Sequence, residues 1–422
     1  MKQVFFILFF LLSNFIFPQS YKYANYCLDS LISKNFSGRG FQDGGDRKAA
    51  NFISRELENN GLKSFYKDGY LQNLEIDVNN IINSKLIIGK ERIQKKLGTE
   101  FLVFGYSPSC TIIIENKKPI YLESKNDLEK IKKEKIKDRV IVFNQKSISY
   151  YDIVVFLNNL NTQDIFPKIA IVQGYDKIQY FSGKKVFNFP VIQLKDIVFE
   201  KKIKYLELEI ESKFEKNYQT QNVLAYSEGK KYKDSIFVFT AHYDHLGKIG
   251  DSCYFPGAND NASGVAVLLD LAKYYSKNPS DYTIVFIFTT AEEIGLKGSY
   301  YAAENPPFDL KMVKFLFNLD MCGTGSGGLA LVNGKKEKRA GEWFEKFNNE
   351  NRYFKKINIG EESCNSDHCP FVQKGVPALF LFTFGQEYNE YHTVFDNGKD
   401  LPFTKHIDLC NILKSFIETY NR

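Results

Sequence analysis

Four apolar runs in this chain end in side chains that bind metal ions. Ile236 to Ala241 runs into His242-Tyr243-Asp244, and YTIVFIFTTA runs into Glu292-Glu293. VKFLFNL ends at Asp320, and PALFLFTF is followed, one short loop later, by Tyr391-His392. A fifth group, Asp260, sits in Gly-Ala-Asn-Asp-Asn-Ala-Ser-Gly just ahead of another apolar run. One His or Asp after a strand is commonly a cap or a satisfied hydrogen bond. Four such ends from distant segments, together with Asp260, are poorly explained as caps, because ligands of open α/β sheets gather at the carboxyl ends of strands.

The ligand types select the chemistry. Two imidazoles and three carboxylates, without clustered thiolates, suit a hydrolytic zinc site with open positions. His242, Asp260, Glu293, Asp320 and His392 suffice for two zinc ions per chain if one carboxylate bridges, and Asp260, expected at the N-terminus of a helix over 262–275, is a rigid place for the bridge. Two ions about 3.5–4 Å apart share a water and lower its pKa towards roughly 7. A general base is still required, and of the adjacent Glu292 and Glu293 one can bind metal while the other faces the water. Asp244, two residues after His242, is expected to accept the imidazole N–H and fix its tautomer. His245 reads as structural or pocket-lining. His368, in Ser366-Asp367-His368, suits a supporting or substrate-contact role, and His406 falls in the last helix, away from the site.

The elements that position these groups follow from periodicity. Ala49, Ala50, Ile53 and Leu57 fall at helical spacing, with Gly61 as the C-terminal cap. Residues 76–218 hold recurring β-type runs (EFLVFGY, CTIIIE, RVIVFN, KIAIVQGY, FNFPVIQL, YLELEIE) separated by lysine-rich stretches such as Lys125–Lys137, which read as solvated faces. From about 219 onward strands alternate with helical patterns at 262–275, 297–305, 338–351 and 405–420. Continuous apolar strands between such helices predict an α/β fold, a mostly parallel central sheet with helices on both faces. The expected organisation is therefore a leader over 1–20, the first part of the catalytic domain over 21–75, an inserted β-rich domain over 76–218, and the rest of the catalytic domain over 219–422.

Composition bounds the setting. The chain has 422 residues, 44% hydrophobic and 25% charged, which is globular and not disordered. Its formal charge of +6 is a mild excess spread along the chain, so nucleic acid is not an expected partner. Lys2 followed by VFFILFFLLSNFIF and Pro18-Gln19-Ser20 matches a signal peptide cleaved near Ser20, with an apolar core short for a membrane span of about 20 residues. Export to the periplasm, cell surface or medium is expected, with no stable membrane insertion after cleavage. All seven Cys lie beyond residue 20; Cys364 and Cys369 are close enough to bridge, and buried free thiols are an equal reading.

HYDHLG, GANDNASG, TTAEEIGLKGS, NLDM, SDHCPF with KGVPAL, and YHT resemble, in order and spacing across roughly 219–400, the di-zinc aminopeptidases of metallopeptidase family twenty-eight, the family of aminopeptidase Y and bacterial leucyl aminopeptidases. FSGRG…DRKAANFISRELENNGL is similar to that family's N-terminal stretch. The resemblance implies that His242 and Asp320 bind one zinc, Glu293 and His392 the other, with Asp260 bridging, Glu292 as general base and Asp244 orienting His242. It implies a secreted exopeptidase acting on the N-terminal residues of peptide substrates. Residues 76–218 are similar to a protease-associated domain through KDRVIVFN, KIAIVQGY and FNFPVIQL. The chain departs from the family in NLDMCGTGSGG, in His392-Thr393-Val394-Phe395-Asp396 where HTPxD is frequent, and in lacking a His just before YHT; these touch substrate preference.

Three other readings are open to the same residues. A glutaminyl cyclase shares the sheet and related motifs but uses one zinc, and the intact Asp-Asn-Ala-Ser-Gly with all five ligands favours the hydrolase. Carboxypeptidase or dipeptidase specificity belongs to the same family. A catalytically dead binding protein, with the inserted domain as its interaction module, is opposed by retention of the base and every ligand.

Overall fold

The computed structural model describes residues 21–163, 166–199 and 201–419, so the signal-peptide reading of residues 1–20 lies outside the described residues. Among the described residues no helix is long and apolar enough to cross a membrane. A ten-stranded sheet runs in the order Ile357–Ile359, Gly328–Val332, Ala378–Phe384, Val313–Leu319, Tyr232–His242, Tyr282–Thr289, Ile203–Ser227, Leu71–Ile88 and Ile93–Gln94, with Cys110–Lys117 also paired to Ile203–Ser227. Its centre is parallel: Tyr232–His242 lies between Val313–Leu319 and Tyr282–Thr289, and Ala378–Phe384 joins Val313–Leu319 on the far side. Both flanks are antiparallel, through Gly328–Val332 against Ala378–Phe384 and Ile203–Ser227 against Tyr282–Thr289. The sheet is thus mixed and parallel mainly at its centre, because the ribbon on one flank runs out of the sheet and back.

The strands read as unbroken apolar runs because both faces are covered. Phe237, Phe239, Phe286, Phe288, Phe315 and Phe317 face a large core with helices Tyr21–Leu31, Gly45–Asn59, Gly264–Lys277, Lys338–Asn351 and His406–Thr419. Ile236, Val238, Val285, Ile287 and Leu316 point the other way, onto the side of Lys297–Glu304 and His368–Gln373. Alternation by two along each strand splits the residues between the cores, and each fully buried Phe contributes roughly 1.5–3 kcal/mol. Gly264–Lys277 is apolar around most of its circumference because it is buried between sheet and outer helices, Gly264 through Ala272 all being inaccessible.

The ribbon Leu71–Ile88/Ile203–Ser227 pairs antiparallel along almost its whole length, with bulges between Ile76 and Val78 and between Ile81 and Asn83. Glu75 pairs with Gln219 and Ile76 with Tyr218, so positions 75/76 and 218/219 lie opposite one another within one continuous strand pair. Beyond it lies a five-stranded sheet, in the order Phe101–Val103, Val191–Leu194, Ile169–Gln173, Val140–Asn144 and Ile120–Leu122, with its own core. This segment also carries helices, Tyr150–Asn161 and Lys125–Lys130. Lys125–Lys130 opens on a Ser124 capping box with Asp127, so part of the lysine-rich stretch read as a solvated face is a short capped helix. Cys364 and Cys369 form a disulfide, and the other five cysteines lie outside any disulfide.

Asp270 is buried in the middle of Gly264–Lys277, with Oδ2 lacking a hydrogen-bond partner. Burial pushes its carboxyl up to about 7, against the pull of Lys273 and Lys414. An acid whose folded pKa exceeds its unfolded value, about 3.9, makes folding progressively less favourable as pH rises between the two. Asp270→Asn is expected to raise the melting temperature at pH 8 by at least about 2 °C and to leave it unchanged at pH 4. Calorimetric scans across that range check this, and equal shifts at both pH values would contradict it.

Candidate metal centre

The parallel registers bring the strand ends together. His242 closes the central strand opposite Thr289, and Asp320 follows the last residue of the neighbouring strand, its amide bonded to the Leu381 carbonyl at 3.2 Å. Glu292 and Glu293 sit in the turn after Tyr282–Thr289, and His392 arrives from the loop after Ala378–Phe384. The five expected ligands converge in one buried cluster. His242 Nε2 lies 3.3 Å from Asp260 Oδ1 and 3.4 Å from Asp320 Oδ1. His392 Nε2 lies 3.1 Å from both Asp260 Oδ2 and Glu293 Oε2. Each Asp260 oxygen therefore faces a different imidazole.

Asp260 sits in an irregular turn, Ala258–Ser263, just before the helix and not in its first turn. The Asn-Asp-Asn-Ala-Ser run stitches this turn to the segment behind Asp320. Asn261 donates to the Leu319 carbonyl at 2.9 Å and accepts from the Met321 amide at 3.1 Å. Ser263 accepts from the Cys322 amide, and Asn259 from the Gly323 amide. A Cβ on Gly264 would lie 2.2 Å from Asn261 Oδ1 and 2.5 Å from the Leu319 carbonyl, so only glycine allows that approach. Three non-glycine residues at the site hold left-handed backbone: Ala291 beside Glu292, Met321 beside Asp320, and His392 itself, with φ of 57°, 56° and 58°. Each costs on the order of 1 kcal/mol, strain that marks functional turns.

The supporting contacts differ in part from the sequence expectation. Asp244 was expected to hold His242 through its carboxylate, but Nδ1 lies 3.2 Å from the Asp244 main-chain carbonyl and 3.7 Å from the carboxylate. The carboxylate also accepts the amides of Glu292 at 3.1 Å and Glu293 at 3.3 Å, so Asp244 fixes the turn carrying both glutamates. His245 is fully buried and is no pocket wall; its Nδ1 meets Glu293 Oε1 at 2.7 Å. Ser366 donates to Asp320 Oδ2 at 2.8 Å and itself receives Asn318, which is held by Thr240. Asp367 receives Thr289 Oγ1 at 2.5 Å, while His368, the expected contributor from this loop, bonds the Ser363 carbonyl at 2.7 Å. His406 packs on Phe403, outside the cluster.

Two supports went unassigned in the sequence. Asp396 accepts the main-chain amides of Asn259 at 2.8 Å and Asp260 at 3.1 Å, and the Tyr388 hydroxyl at 2.8 Å. Its spacing from His392 was the available signal. Arg39, in FSGRG, is wholly buried and donates to the carbonyls of Leu31, Tyr243, Pro256, Gly257 and Asp260. It anchors the segment between His242 and Asp260 at both ends. No local pattern marks Arg39 as buried, since its partners are backbone carbonyls.

The residues fit a pair of small divalent cations. Ligand atoms of His242, Asp260 and Asp320, and of His245, Asp260 and Glu293, gather within 4.8 Å in each group. His392 suits the second position better than His245, whose Nδ1 is already engaged at 2.7 Å with Glu293. Tetrahedral ligands at 2.0–2.1 Å from zinc are separated by about 3.4 Å, close to the spacings of the His242 and His392 pairs. Asp320 Oδ1, facing His242, is buried without a hydrogen-bond partner, as is His245 Nε2. Charge balance points the same way: although burial opposes it, Glu293 and Asp260 lift the His392 imidazole up to about 10. Burial, with Glu293, Asp320 and Asp367 overcoming His242, pushes the Glu292 carboxyl well above the usual range.

Residues 222–412 match the model of Peptidase family M28. Among curated proteins, aminopeptidase YwaD of Bacillus subtilis is 32% identical over 231 residues, 51% of this chain and 48% of that protein. The chain spans about half or less of the length of the curated relatives it matches first. Among solved structures, the zinc aminopeptidase BSAP from Bacillus subtilis superposes with a TM-score of 0.69 at 21% identity, covering 94% of each chain. The aminopeptidase from Aneurinibacillus sp. strain AM-1 gives 0.66 at 22% identity over 95% of each. These two structures share the fold over nearly the whole chain.

Arg39→Met is expected to destabilise the protein by at least about 3 kcal/mol, since it leaves buried carbonyls unpaired. Arg39→Lys should recover little of this, because one ammonium cannot span five carbonyls. Denaturant melts check both, and a Lys variant as stable as the parent would remove Arg39 from this role.

Proposed function

We propose that this chain, whose residues 222–412 belong to peptidase family M28, is an exported two-zinc aminopeptidase that hydrolyses the N-terminal residues of peptides. The observation that carries the reading is the placement of Asp260, one oxygen toward His242 and the other toward His392, with Asp320 completing one side and Glu293 the other. In this reading His242 and Asp320 would hold one ion and Glu293 and His392 the second, with Asp260 shared between them. Two zinc ions held there would supply polarisation of the scissile carbonyl and acidification of a water.

The remaining chemistry belongs to the chain's own residues. Glu292 takes a proton from the attacking water and delivers it to the leaving amine. Burial, with Glu293, Asp320 and Asp367, raises its affinity for a proton, the direction a carboxylate general base requires. Asp244 keeps Glu292 and Glu293 in register by holding their amides. Tyr391 stacks on His392 at 3.8 Å with part of its ring exposed. Burial, then Asp260, Glu293 and Glu292, hold its hydroxyl well above the usual range, so it remains a neutral donor beside charge developing on the carbonyl oxygen. Ser366, Asp396 and His245 fix the orientations of Asp320, Asp260 and Glu293.

Purified protein is expected to contain two zinc ions per chain by elemental analysis, and one ion would favour the cyclase-type reading. Glu292→Ala should retain both ions and the fold while slowing leucine p-nitroanilide hydrolysis by about 10²–10⁴-fold; undiminished turnover would remove Glu292 from the base role. Peptides with a free amine should be cleaved and N-acetylated ones left intact, and cleavage of only the blocked peptides would overturn the aminopeptidase reading.

A further inference from the structure

The segment 177–184, from the five-stranded part of the molecule, is laid across the metal centre. Lys177 donates to the Asn389 carbonyl at 2.7 Å and pairs with Glu390 at 2.6 Å. Gln179 donates to the Tyr391 carbonyl, and the Tyr180 amide to the His392 carbonyl at 3.0 Å. The Phe181 ring lies between those of Tyr150 and His392, at 5.1 and 4.8 Å. Gly183 is pinned by the Asn79 amide at 2.7 Å and packs so tightly on Gly105 that a Cβ there would lie 2.1 Å from the Gly105 carbonyl. The segment is therefore fixed, running from the loop that carries His392 to the turn after Glu293.

What it delivers there is Lys184. Its ammonium lies 3.0 Å from where a side chain on Gly295 would begin, and the Gly295 amide is bonded to the Glu292 carbonyl at 2.8 Å. Lys297, exposed, follows Gly295 by two residues at the start of the next helix. Among the described residues neither makes an ion pair, although most lysines of this chain that approach an acid do so at its surface. Partial burial, then repulsion from Lys297 and Lys185, hold the Lys184 ammonium below the usual lysine range. A partly buried cation without an acidic partner gains from an anion that arrives beside it.

We propose that Lys184, with Lys297, forms a subsite that binds a carboxylate on the leaving portion of the substrate. The inference rests on the aminopeptidase reading for its orientation: Glu292 returns its proton to the leaving amine, so the leaving portion lies on the Glu292 side, where these ammonium groups stand. In a dipeptide the carboxylate is the C-terminus; in a longer peptide it is an acidic side chain near the cleavage point. Glycine at 295 leaves the approach to Lys184 open.

Binding to the zinc-loaded Glu292→Gln protein, measured by calorimetry at low salt, separates the cases without requiring turnover. Leu-Ala is compared with Leu-Ala-amide, and Leu-Glu-amide with Leu-Gln-amide. In at least one pair the acid should bind about tenfold more tightly, falling to within about twofold in an added Lys184→Gln change and largely restored by Lys184→Arg. The preference should shrink as salt rises. Preference in the first pair assigns the C-terminus, and in the second an acidic side chain. Equal affinities in both pairs, or a preference untouched by Lys184→Gln, overturn the proposal. A preference lost with Lys184 in a protein whose unsubstituted form hydrolyses no peptide would remove the hydrolase reading and keep the subsite.

Discussion

Everything around the strand ends answers to one electrostatic constraint, the convergence of acids in a buried place. Asp260, Glu292, Glu293 and Asp320 meet there, with Asp244, Asp367 and Asp396 immediately behind. Ionised carboxylates out of water cost several kcal/mol each unless cations or donated hydrogen bonds compensate them. The fold applies both remedies. Asp244 and Asp396 are absorbed by main-chain amides, and Asp320 takes the Ser366 hydroxyl on one oxygen. What stays uncompensated points inward at two imidazoles, and small divalent cations answer that charge best.

A second constraint concerns the backbone. Carrying four of the five ligands on turns and loops requires backbone the chain would otherwise avoid, and Ala291, Met321 and His392 all adopt left-handed conformations beside or at the functional groups. The surroundings over-determine these turns. Arg39 ties carbonyls from Leu31 to Asp260 into one buried fork, and Asn259, Asn261 and Ser263 clip the Asp260 turn to the segment behind Asp320. Rigidity at the centre is thus delivered by the Arg39 guanidinium and by neutral Asn and Ser side chains, all gripping main-chain groups.

The two sheets are joined by a ribbon whose strands run unbroken from one to the other. A continuous strand pair transmits position better than a flexible linker, and it lets the far part of the molecule place residues 177–184 against the His392 loop. The metal centre is consequently bounded on one side by side chains encoded far from any ligand, Phe181 and Lys184 among them.

The sequence alone determined the candidate ligand set and the parallel core, because both rest on local patterns. An apolar strand covered on both faces reads as an unbroken run, and a ligand at its carboxyl end reads as a polar residue where the run stops. His242, Asp260, Glu293, Asp320 and His392 were legible for that reason, and the structure brings these five together. The long-range supports were not legible. Arg39 bonds carbonyls, which every residue possesses; Asp244 holds amides across a 48-residue separation as well as standing 3.7 Å from the His242 imidazole. His245 and His368 stand in similar motif surroundings, yet only His245 reaches a ligand. Likewise no local pattern shows that a lysine at 184 stands over a turn at 295. Local periodicity reports which face a residue takes, whereas its partner is chosen by how distant segments pack, and that information exists only once the chain has folded.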